Sequence, residues 1–180
     1  MDTTNWEKIA VRGEGSSSRD SHSCVVIKDK MYIIGGLSCE AETNDVFEFD
    51  LTQEVWSKWP SEAVEEMKPR ESHVSWSFED RYVFVHGGTS EENLPMEESF
   101  ICVLDVDKQE LRRIENWENQ GVGPCERESH SCSKMGDYWY FYGGRPVGTA
   151  AEDGAGAKVG GGKSVNSTGF DMGGKVPCGG

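Results

Sequence analysis

"RDSHSC" at residues 19–24 returns as "RESHVS" at 70–75 and as "RESHSC" at 127–132. The histidines of the three copies, His22, His73 and His130, stand 51 and 57 residues apart. Each hexamer is followed by a strand-like run that ends in two glycines: "KMYIIGG" (30–36), "RYVFVHGG" (81–88) and "DYWYFYGG" (137–144). From histidine to first glycine the distances are 13, 14 and 13 residues. Matched internal spacing in three copies is the signature of a repeat architecture.

Two copies alone would read as paired metal ligands or catalytic groups. The middle copy, however, carries Ser75 where the others carry Cys24 and Cys132, so the hexamer marks architecture first. The repeat continues past the glycines. "NDVFEFDLTQEVW" (44–56) aligns with "ESFICVLDVDKQEL" (98–111), which puts Leu111 in the slot of Trp56 and leaves Trp117 in a loop. Alternating β-branched and aromatic residues, punctuated by Gly, Asp, Glu, Asn and Pro, predict short strands. The first unit should hold them at 22–27, 30–35, 45–51 and 55–59, the second at 73–78, 81–86, 99–106 and 110–114. No connecting helix is required, so each unit is expected to be an antiparallel meander. In a meander the second strand returns to where the first began, which places the hexamers and the double glycines on one rim.

A double glycine, a downstream Asp and a Trp, in register with the histidine, resemble the kelch motif over residues 4–144. The resemblance implies an all-β fold, a kelch-type β-propeller arc of about two and a half four-stranded antiparallel blades plus one N-terminal outer strand. It divides the chain into an outer strand and loop of a closing blade (1–18), a first repeat (19–69), a second (70–126), a partial third (127–148) and a Gly-rich tail (149–180). "NWEKI" at 5–9 resembles the strand with which one terminus of the family closes the blade begun by the other. Propellers close with 4–8 blades. An arc of this size is therefore expected to be a truncated form whose open blade edges invite self-association. The tail, with 10 glycines in residues 151–180, is expected to be disordered.

The formal charge of −14 excludes a basic nucleic-acid-binding face and favours a basic protein partner. No stretch approaches the ~20 apolar residues of a membrane span, and the N-terminus lacks a secretory core. The six cysteines then read as reduced thiols of the cytoplasm or nucleus.

Candidate chemistry is sparse, and no cofactor is expected. "AKVGGGKS" (157–164) approaches a phosphate-binding loop, but Ala157 stands at the first glycine position and neither a strand nor a helix flanks it. His22 with Cys24 and His130 with Cys132 do not assemble a four-ligand zinc site on separate blades. Nothing marks an oxyanion hole beside a nucleophile. The rim is more informative. Arg19, Arg70 and Arg127, one before each inner strand, could hold a carboxylate or phosphate together; alternatively each pairs with its neighbour Asp20, Glu71 or Glu128. Trp117 is the candidate exposed aromatic anchor, and Glu40, Glu42, Glu91, Glu92, Glu97 and Glu98 make the connections acidic. These features, with the family resemblance, imply a non-catalytic protein–protein interaction or scaffold module, an adaptor or substrate-recruiting part. The alternative is a fragment of a kelch-type redox or small-molecule-processing enzyme.

Overall fold

The computed structural model describes residues 6–39, 41–90, 101–114, 127–135 and 138–147. Trp117, five of the six loop acids (Glu40, Glu91, Glu92, Glu97 and Glu98), the glycine-rich loop at 157–164 and the tail lie outside these residues. Three successive sheets make up the described chain. The first holds β1 (Arg12–Gly13), β2 (Arg19–Asp20), β3 (Ser23–Ile27), β4 (Lys30–Ser38), β5 (Glu42–Asp50) and β6 (Val55–Lys58). The second is β7 (Val74–Phe78), β8 (Tyr82–His86), β9 (Ile101–Asp105) and β10 (Glu110–Ile114), in the simple order of a meander. The third is the hairpin of β11 (Arg127–Met135) and β12 (Tyr138–Pro146). A 3-10 turn at Ser61–Val64 links the first two, and the whole is an all-β propeller arc.

Period-2 alternation turns the middle sheet into a two-sided plate. Val83, Val85, Cys102 and Leu104 face the first sheet, where they meet Val25, Ile27, Tyr32, Ile34 and Val46 under the cap of Trp59, Val64 and Met67. The intervening residues Phe84, Ile101 and Val103, with Trp76, face the third sheet and Phe141. The first seam is largely aliphatic. The second is aromatic, with Trp76 stacked on Phe84 at 5.4 Å and edge-on to Phe141 at 5.2 Å. Trp56 lies on Phe49 of its own sheet at 4.7 Å, while its counterpart Leu111 packs into the first seam.

The downstream Asp of each repeat closes the turn between third and fourth strands. Asp50 Oδ1 accepts the N–H groups of Thr52 and Gln53 at 2.9 and 2.7 Å, and Asp105 Oδ1 accepts that of Asp107 at 3.2 Å. Arg81 adds a bidentate grip on Asp105, at 2.9 and 2.6 Å, tying the start of the second strand to the end of the third.

At the N-terminus the structure departs from expectation. The described part of "NWEKI" forms no strand, and Trp6 is 100% exposed. Instead β1 runs parallel to β6, pairing Arg12 with Val55 and Gly13 with Trp56 on the outer edge of the first sheet. Among the described residues no edge of the third sheet receives it. An outer strand adds to the third strand of a blade, and β12 pairs only with β11 among the described residues.

The double glycines hold the seams together. All six adopt positive φ, between 54° and 95°. A Cβ on Gly36 would lie 2.7 Å from the Cβ of its own blade's His22, and one on Gly35 3.0 Å from the His73 ring of the next blade. Gly87 repeats this against His130 at 2.7 Å, with Arg127 O closer still. Gly143 has a φ of 72° but no described atom within 4 Å. Gly87→Ala should therefore cost roughly 3 kcal/mol or more in urea unfolding, against about 1 kcal/mol for the left-handed alanine of Gly143→Ala. Equal losses would show that packing does not select glycine at Gly87.

Candidate functional site

The three rim arginines share one geometry. Arg19 Nη1 donates to Gly35 O at 2.9 Å, Arg70 Nη1 to Gly87 O at 3.1 Å, and Arg127 Nη1 to Gly143 O at 2.9 Å. Each guanidinium thus clamps the first glycine carbonyl of its own blade. Of the two alternatives, convergence on a shared anion and local pairing, the contacts of Arg19, Arg70 and Arg127 are local. Arg70 is 1% exposed, and burial pushes its pKa down. Arg19, half-buried as a residue with its side chain 3% exposed, is held by Asp45 Oδ1 at 2.6 Å and lies over the Phe47 ring. Its acid is therefore Asp45, two strands away, rather than the adjacent Asp20. Arg127 is the most open of the three. No sequence signal separated a clamp from an anion site, because both put one arginine before each inner strand.

The histidines stack against the preceding blade. His73 Nε2 meets Ser23 Oγ at 2.8 Å, and His130 Nε2 meets His86 Nδ1 at 3.1 Å. Burial, reinforced by the charge of Arg70, lowers the His73 pKa to about 3. Burial and the charge of Arg127 lower that of His130 to about 4. Both rings are neutral packing groups at physiological pH, and His22 alone of the three is exposed.

With the arginines turned inward, the acidic residue of each hexamer is left on the rim. Burial raises the Glu71 pKa, and the charges of Glu42, Asp20 and Glu128 raise it further. The second residue of all three hexamers and one loop acid therefore crowd one mouth of the arc. Asp20 is exposed, Glu42 and Glu71 are half-buried, and Glu128 is buried against Arg145. Like charges held together in this way attract a cationic group. The hexamers contained these acids, but only the fold shows that they face one another.

The thiols of the described residues are not activated. Cys24, Cys39, Cys102 and Cys132 are free, and burial raises the Cys24, Cys102 and Cys132 thiols, the last to about 12. A nucleophilic cysteine needs the opposite shift. No metal-binding group of three or more ligands occurs among the described residues.

A profile of the KLHDC2/KLHL20/DRC7 Kelch-repeats domain matches residues 1–144. The chain belongs to the kelch-repeat family. It is 30% identical over 135 residues to human leucine-zipper-like transcriptional regulator 1, covering 72% of this chain and 16% of that protein. Mouse kelch domain-containing protein 1 is 30% identical over 100 residues, 55% of this chain and 25% of the relative. Acyl-CoA-binding domain-containing protein 4 of Arabidopsis thaliana is 25% identical over 146 residues, 79% of this chain and 20% of that protein. The chain thus spans a quarter or less of each of these relatives. Kelch-repeat domains in general mediate protein–protein interactions, and membership of the family makes this arc a protein-interaction module.

The buried histidines set a pH dependence. Above about 6.5 the imidazoles are neutral in folded and unfolded chains alike, and nothing is lost. Below it the unfolded chain takes up protons that folded His73 and His130 refuse. Stability should fall between pH 6.5 and about 4 by up to roughly 1.4 kcal/mol per pH unit for each ring. Urea midpoints between pH 7 and 5 measure this slope, and His73→Asn should flatten it by about half whatever its absolute cost.

Proposed function

We propose that this kelch arc is a non-catalytic docking module that receives a basic segment of a protein partner on its acidic rim. One observation carries the reading: beyond the effect of burial, the charges of Glu42, Asp20 and Glu128 all bear on Glu71 at one mouth and raise its pKa. Strands β2, β5 and β11 hold Asp20, Glu42 and Glu128, and a bridge to Thr89 holds Glu71, so little ordering is needed on binding, and lysine or arginine side chains would relieve the repulsion on Glu71. A chain of net charge −14 adds long-range attraction to the same partner. Arg127, with its guanidinium on Gly143 O, fixes the start of β11, which carries Glu128, and Trp117 is the candidate aromatic anchor for the partner. Arg19 and Arg70 contribute by positioning the rim rather than by touching the partner. The module acts in the cytoplasm or nucleus as an adaptor or substrate-recruiting part. The raised thiols speak for this over the kelch-enzyme reading.

Titration of a fluorescent lysine-rich peptide into the full chain tests the proposal. Binding should weaken about tenfold for the double variant Asp20→Lys with Glu42→Lys and fall steeply with added salt. Trp117→Ala should weaken an authentic partner recovered by affinity capture and leave its salt dependence unchanged. Partners indifferent to the acid reversals and to Trp117→Ala would overturn the docking role.

A further inference from the structure

A short motif ahead of the first inner strand is one that the fold does not use. Ser17, Ser18, Arg19 and Asp20 place a serine three residues before an acid, the pattern that heads a helix as a capping box. Here strand β2 follows it, not a helix, and residues 14–18 form a loop. Ser17 is exposed and rests on the first rim arginine. Arg19 Nη2 donates to Ser17 Oγ at 3.2 Å, and Arg19 Nε donates to Ser17 O at 3.4 Å. The repeat accounts for only one of these contacts. Arg70 Nε donates in the same way to Lys68 O at 3.2 Å, so the main-chain contact belongs to the clamp. The hydroxyl contact is peculiar to the first unit, because Lys68 and Cys125 stand at the place of Ser17 before Arg70 and Arg127.

The guanidinium under Ser17 belongs to a node with more cations than acids. Arg19 Nη2 and Lys58 Nζ converge on one oxygen, Asp45 Oδ2, at 3.4 and 3.5 Å. Both cations also lie over the Phe47 ring, 5.1 and 5.3 Å from its centroid. Among the described residues Asp45 is the one acid that pairs with either of them. Its other oxygen accepts from Thr43 Oγ1 at 2.7 Å as well as from Arg19. Two positive charges thus share one carboxylate, on a chain whose formal charge is −14.

We propose that Ser17 is a phosphorylation site, modified by an acid-directed serine kinase that reads Asp20 and held afterwards by Arg19 and Lys58. In the transfer Ser17 Oγ forms a bond to the γ-phosphorus of ATP while the bond from that phosphorus to the β–γ bridging oxygen breaks. ADP leaves, and the hydroxyl proton passes to the base of the kinase. The product carries a charge of about −1.5 to −2 and three acceptor oxygens. Elsewhere on so acidic a chain such a group adds only repulsion. At Ser17 it is attached to an oxygen that already accepts from Arg19, so it meets the surplus cation and ties the loop to β5 and β6. The site goes beyond the basic-segment reading and does not rest on it, since neither Arg19 nor Lys58 is a partner-binding group there.

Incubation of the full chain with an acid-directed serine kinase and magnesium ATP tests the proposal. Peptide mass mapping should place one phosphate on Ser17, absent from Ser17→Ala and strongly reduced in Asp20→Asn. In ³¹P NMR titrations the second pKa of the phosphate should lie about one unit below its usual value near 6, and Lys58→Met should return it towards that value. The Lys58 side chain is 39% exposed, so this variant should keep its fold and its labelling, and melting curves of the unmodified chains verify the fold. Phosphorylation should also raise the melting temperature, because it fastens the loop to the sheet. Label on Ser16, Ser18 or Ser21 in place of Ser17, or no label, would overturn the site. Label on Ser17 whose second pKa stays near 6 and ignores Lys58→Met would overturn the part assigned to Arg19 and Lys58, and with it the reason for choosing this serine.

Discussion

The double glycine is the constraint on which the arc depends. Its second residue sends its N–H to the backbone of the next blade while its α-carbon presses on the histidine of its own. Its first residue gives its carbonyl to the arginine clamp and lies beneath the next histidine. No side chain fits between these contacts, and the positive φ that directs the N–H and C=O groups correctly is one that L-residues resist. The hexamer and the glycines are thus two halves of one joint. Their fixed distance along the chain is the length of the hairpin between them.

For that reason the architecture was legible from composition and spacing. Strand order, strand limits within a few residues, and the common rim of hexamers and glycines all follow from alternation and period. What could not be read was direction. Arg70 and Glu71 are adjacent polar residues of one motif, yet the structure buries the first and leaves the second at the rim. The choice is made by the Gly87 carbonyl, which needs a donor and lies 17 positions away. The N-terminal strand misled for a related reason. "NWEKI" carries the pattern of an outer strand, but a strand exists only where a partner edge offers hydrogen bonds.

Charge and packing divide the molecule between them. Apolar seams and main-chain hydrogen bonds hold the blades, and the ion pairs Lys30–Glu48 and Arg81–Asp105 lock hairpins within them. His73 and His130 belong with the seams rather than with the surface, since burial keeps them neutral against glycine. A residue type that usually signals chemistry is here a shaped apolar spacer.

The hydrogen bonds that join the blades run between main-chain atoms: glycine N–H to arginine carbonyl, and serine N–H to serine carbonyl. Such a joint is indifferent to most side chains. Substitutions can accumulate along the strands while the joint persists, provided that the glycines and a short residue tolerant of left-handed backbone remain in place. Divergence to 30% identity is then compatible with an unchanged frame, and the rim is free to be rewritten for one partner after another without rebuilding the blades beneath it.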